Sequence, residues 1–114
     1  MKPLFWLGST KKDLTSLPDD VQDVFEFALH LAQAGGKHPD AKAMKGFGGG
    51  GVIEVVEDYS TNTYRAVYTV KFSDAVYVLH VFQKKSTSGI ATPKPDMDKI
   101  NERLKQAEKH AKGG

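Results

Sequence analysis

Apolar and polar positions recur along this chain with periods that mark out its elements in order. Residues 3–7 form an apolar run of strand length, and Ser9-Thr10 offer caps for a brief helical turn that Pro18 ends. From Asp19 or Asp20 to about Ala34, Val21, Val24, Phe25, Ala28, Leu31 and Ala32 recur at three- and four-residue steps. Acids crowd the first turn and Gly35-Gly36 follow the last, so a helix is predicted there. A loop over residues 37–51 ends in a run of glycines. Three strand signals come next, over residues 52–58, 64–72 and 75–84, joined by polar links short enough for a meander of antiparallel hairpins. Met97, Ile100, Leu104, Ala107 and Ala111 then stripe one side of a final charged helix. The expected class is α+β, a small antiparallel sheet with two N-terminal helices and one C-terminal helix. Its 114 residues are expected to form a single domain over 1–114, frayed at 112–114.

Register sorts the sheet into faces. A turn at Ser73-Asp74 sets Phe72 opposite Ala75, Arg65 opposite Phe82 and Val67 opposite His80. One face then carries Tyr64, Ala66, Tyr68, Val70, Phe72, Ala75, Tyr77, Leu79 and Val81, an apolar surface for the helices. The other carries Arg65, Val67, Thr69, Lys71, Val76, Val78, His80, Phe82 and Lys84, and the helices need not cover it. If Ser60 pairs with Thr63, Glu54 and Asp58 join this second face, with Asp58 opposite Arg65.

Charge changes the picture more by distribution than by total. The net charge is only +2, yet residues 13–26 hold five acids and no base, while residues 65–94 hold five bases and one acid. A polyanion meets the second stretch far more strongly than the average implies. The absence of cysteine excludes disulfides, thiolate nucleophiles and thiolate zinc sites. No apolar window approaches a membrane span, and residues 1–7 are too short for a secretory signal, so a cytoplasmic protein is expected.

Candidate chemistry is thin outside the basic face. Gly46, Gly48 and Gly51 spell G-x-G-x-x-G, but a strand follows where the dinucleotide fingerprint needs a helix. His38, Asp40, His80 and His110 lack metal-ligand spacing, and no nucleophile elbow is present, so no metal or cofactor is expected. Arg65, Lys71, His80 and Lys84 do fit one reaction. Metal-free RNA cleavage needs a base for the 2'-hydroxyl, cations for the phosphate and an acid for the leaving 5'-oxygen. The plain alternative has Arg65 and Lys71 solvated, His80 hydrogen-bonded within the sheet, and Lys84-Lys85 blunting a sheet edge.

The run from Phe5-Trp6-Leu7-Gly8-Ser9-Thr10 to Leu14, residues 31–39, Met44-Lys45-Gly46-Phe47, the Tyr64-Arg65-Ala66-Val67-Tyr68 strand, Phe82-Gln83-Lys84-Lys85 and the Thr92-Pro93 before the last helix together resemble the RelE/HigB superfamily of toxins. The resemblance is nearest to the phage-derived HigB-like branch. It implies a RelE-like fold and an endoribonuclease (mRNA interferase) that cuts mRNA on the ribosome, inhibits translation and is neutralised by a HigA-like helix-turn-helix antitoxin. It also implies that Arg65, Lys84 and Lys85 are site residues, that Lys45 contacts RNA and that Glu54 forms an internal ion pair. Several RelE-type toxins carry a C-terminal tyrosine for proton transfer, whereas the last tyrosine here is Tyr77. The face argument puts His80 or Lys71 in that role instead.

The leading expectation is therefore a toxin of a type II toxin-antitoxin module. Its alternatives are a non-catalytic RNA- or antitoxin-binding module left by a decayed toxin, and a structural phage-derived protein.

Overall fold

A computed structural model describes residues 1–48, 50–84 and 92–113. The expected helices form as α1 (Thr10–Thr15), α2 (Asp19–Gln33) and α3 (Lys94–Ala111). Proline precedes each of the two longer helices, Pro18 before α2 and Pro93 before α3, in extended backbone that starts the turn. Helix α2 ends as its glycines require. Gly35 takes φ +86, and the Gly36 and Gly35 amides donate to the Leu31 and Ala32 carbonyls, closing the last turn with a left-handed residue.

The strands are β1 (Leu4–Trp6), β2 (Ala41–Ala43), β3 (Val52–Tyr59), β4 (Asn62–Thr69) and β5 (Val76–Lys84), in spatial order β1-β5-β4-β3-β2. Strands β2 to β5 are antiparallel, and β1 adds to β5 in parallel, which makes the sheet mixed. Strand β2 falls within the segment read as loop, because three residues flanked by proline and glycine carry too little pattern to register.

Two corrections to the expected register follow from turn and bulge geometry. The β3–β4 hairpin turns at Ser60-Thr61, with Ser60 at φ +58, so Tyr59 pairs with Asn62. Asp58 therefore lies opposite Thr63, whose hydroxyl donates to it at 2.8 Å, and Val56 lies opposite Arg65. The slip is two residues, so Glu54 keeps the Arg65 face.

The second correction inverts a face. Arg65 pairs with Phe82 and Val67 with His80 as expected, but Tyr68 pairs with Val78, leaving Leu79 as the extra residue of a bulge. Before the bulge, every β5 side chain changes side. Val76 and Val78 join the core with Tyr64, Ala66, Tyr68 and Val81 beneath α1 and α2, while Tyr77 and Leu79 turn to the opposite face.

That opposite face is not left open. Tyr77, Leu79, Val67 and Val52 form a second core with Ile100 and Ala107 of α3, so helices cover both sides of the sheet. The bulge supplies the apolar surface on which α3 docks. The end of this face around Arg65 and Glu54 forms a groove beside α3. No helix among the described residues is long and apolar enough to cross a membrane.

Candidate functional site

Cross-strand pairing builds a charged cluster at that end of the sheet. Lys42 of β2 is the direct partner of Glu54 on β3, Glu54 is diagonal to Arg65 on β4, and Lys84 lies two residues past Phe82, the β5 partner of Arg65. Four charged side chains from four strands thus share one patch. Arg65 Nη1 donates to Glu54 Oε2 at 3.2 Å and to Thr92 Oγ1 at 3.3 Å, while Lys42 Nζ lies 3.7 Å from Glu54 Oε1. Arg65 and Lys84 are each 9% exposed and Glu54 is 7% exposed, which is unusual for charged residues.

A groove of about 520 Å³ opens over this cluster. Lys42, Glu54, Arg65 and Thr92 line it together with Lys45 and Met97. Three cations, Lys42, Arg65 and Lys84, surround one carboxylate here, so the patch keeps an excess of positive charge that an anion can take up. Burial, reinforced by the Arg65 guanidinium and opposed by Glu54, holds the Lys84 ammonium below the usual lysine range. A lysine in that state gives up a proton more readily than one in water.

Arg65, Lys84, Lys45 and Glu54 are thus brought together, and Glu54 forms the expected internal ion pair. His80 is close in the sheet but engaged elsewhere. The residue is 4% exposed, and its ring stacks on Phe82 with centroids 4.4 Å apart. Nε2 lies 2.7 Å from Asp96 Oδ1, and Arg103 Nη1 lies 3.4 Å from Nδ1. Since the guanidinium only donates, Nδ1 accepts and Nε2 carries the proton. Desolvation lowers the His80 pKa, and Asp96 only partly offsets it, so the neutral ring is the form that fits. Arg103 also donates to the Leu79 carbonyl at 3.0 Å, satisfying the bulged residue.

Lys71 lies beyond the far end of β4, six residues from Arg65 or about 20 Å at strand rise, so it does not share the Arg65 groove. There it lines a second concavity with Phe72, Tyr77 and His110. Lys85 lies outside the described residues.

The sequence reading missed Lys42, Thr92, Asp96 and Arg103. Lys42 depends on pairing in a three-residue strand, and Asp96 and Arg103 depend on α3 crossing a face expected to be bare. Thr92-Pro93 was visible as a motif, but not as an arginine contact.

Compared with known families, the chain matches the one described as "Phage derived protein Gp49-like (DUF891)" over residues 12–105. No curated protein and no solved structure matches the chain.

Proposed function

The chain belongs to the phage-derived Gp49-like family, a RelE/HigB-like toxin family, and from that premise we propose that it is a type II toxin that cuts mRNA on the ribosome without a metal. Such toxins imply an antitoxin partner. In this reading the partner is a HigA-like helix-turn-helix protein encoded alongside, and the toxin acts in the cytoplasm, where mRNA is translated.

The observation that carries the reading is the pair of nearly buried cations near Glu54: Arg65, which lines the groove, and Lys84 beside it. Arg65 takes the scissile phosphate by its fork of donors, exchanging the Glu54 carboxylate for phosphate oxygens. Glu54 is then left to accept the 2'-hydroxyl proton. The 2'-oxygen attacks phosphorus, the bond to the 5'-oxygen breaks, and Lys84 gives that oxygen its proton. The products are a 2',3'-cyclic phosphate and a 5'-hydroxyl end, with one proton taken by Glu54 and one given by Lys84. Lys42 and Lys45 hold flanking phosphates. His80 holds α3 in place in this scheme and moves no proton.

Induced expression without the antitoxin tests it. Growth arrest is expected from the wild-type chain, and Arg65→Ala is expected to lower activity by about 100-fold or more and abolish the arrest. Normal growth with soluble, folded wild-type protein contradicts the proposal.

A further inference from the structure

The second concavity lies near the C-terminal end of α3, away from the Arg65 groove, and its floor is aromatic. Phe5 and Tyr77 stack with centroids 5.2 Å apart, Phe72 meets Tyr77 edge-on at 5.8 Å, and His110 lies 4.6 Å from Phe5. The Tyr77 hydroxyl and His110 Nδ1 are 2.7 Å apart, which fixes the imidazole over the floor. Tyr77 is buried, Phe5 and Phe72 are half-buried, and His110 is exposed, so ring surface remains open to a ligand.

Charged and polar groups stand around these rings. Lys71 Nζ lies 6.0 Å from the centre of the Phe72 ring, and Lys71, Lys112, Ser73 and Asp74 also line the concavity of about 540 Å³. Lys112 Nζ also pairs with Glu108 Oε1 at 3.0 Å. The volume lies within the range of small-ligand sites. An apolar side chain leaves Lys71 and Asp74 without use, and an acidic peptide leaves the rings without use. A nucleotide uses all three: its base has a face to stack and an edge to hydrogen-bond, and its phosphate answers the ammonium groups.

Helix α3 borders both grooves. Met97 lines the first and His110 the second, 13 residues or about 20 Å apart on the helix. Lys45 and Gly46 lie at the first groove. The chain then returns to Gly51, whose left-handed backbone packs so closely on Lys71 that a Cβ there would stand 2.8 Å from Lys71 Cα. A stacked strand covers that distance in about six nucleotides at 3.4 Å each.

We propose that this aromatic groove is a second RNA subsite, which stacks a base of the strand whose backbone lies in the Arg65 groove. The inference rests on the RNA reading given above. It assigns Lys71 and His110 to strand binding at a distance from the bond cleaved.

Fluorescence anisotropy with labelled, 2'-O-methylated oligoribonucleotides of about two to about ten nucleotides separates the two ideas, because these probes bind without being cut. Wild-type affinity is expected to rise with length up to about six nucleotides. His110→Ala and Lys71→Glu are each expected to weaken the longest probe about tenfold and remove that rise, while Lys71→Arg retains it. Both positions are exposed, and circular dichroism checks that the variants fold. If Arg65→Ala weakens every probe while His110→Ala and Lys71→Glu match the wild type throughout, the subsite is overturned and the RNA reading stands. If the wild-type chain binds no probe, the RNA reading fails and the subsite with it.

Discussion

Lys84 sits where burial and the Arg65 guanidinium both act against its own charge, and Glu54 only partly relieves it. Its folded pKa is therefore below its unfolded value. At neutral pH both states hold the proton, and the folded state bears the cost of a poorly solvated cation. That cost is removed only as the pH rises through the lowered folded value toward about 10.5, so stability rises across that window. Lys84→Met is accordingly expected to raise the urea midpoint at neutral pH while cutting activity by about 100-fold or more, since an apolar residue suits the site but moves no proton. A lowered midpoint contradicts this account of Lys84. At this scale much was legible: Arg65, Lys84 and Glu54 could be assigned to one face by alternation alone. Lys42 could not, because its place depends on pairing by a strand of three residues.

The bulge in β5 decides which elements meet. Alternation reads a strand's faces only while each residue has one partner, and residues 76–79 are Val-Tyr-Val-Leu, apolar at both parities. Nothing in that run distinguishes the two arrangements, so the extra residue at Leu79 was not legible. Its consequence is that α3 docks on the face expected to stay bare. Asp96 and Arg103 then grip His80, and Arg103 also holds the bulged carbonyl. Gly8 makes room for this grip, since at φ +56 a Cβ on it would stand 2.6 Å from the Arg103 guanidinium. His80→Ala is expected to destabilise the fold by about 1–3 kcal/mol by leaving Asp96 and Nη1 of Arg103 short of a partner. The pH dependence has a definite sign. Because the folded His80 pKa is lowered, the unfolded chain takes up a proton below about pH 6.5 that the folded chain refuses. This contribution is fully present above that pH and falls as acid is added, down to the folded pKa. Urea midpoints between about pH 5 and pH 8 are expected to show a fall in the wild-type chain that His80→Ala reduces. Equal slopes in the two proteins contradict the role assigned to His80.

Across the whole molecule, a net charge of +2 conceals a division between the faces of the sheet. The acids of residues 13–26 belong to α1 and α2 on one face, whereas Arg65, Lys42 and Lys45 line the groove on the other, with Lys84 next to Arg65. Part of the division was already present along the chain, because residues 13–26 carry only acids and residues 65–94 mainly bases. Its gathering into a groove was not, since that required β2, α3 and the bulge to be in place. The central claim is that this cationic groove cuts RNA through its 2'-hydroxyl. Sequencing of 5'-hydroxyl RNA ends in cells expressing the chain without its antitoxin tests that most directly. The account predicts new 5'-hydroxyl ends within translated frames for the wild-type chain and none for Arg65→Ala or Lys84→Met. The same ends from Arg65→Ala, or growth arrest by the wild-type chain with transcripts intact, would contradict it.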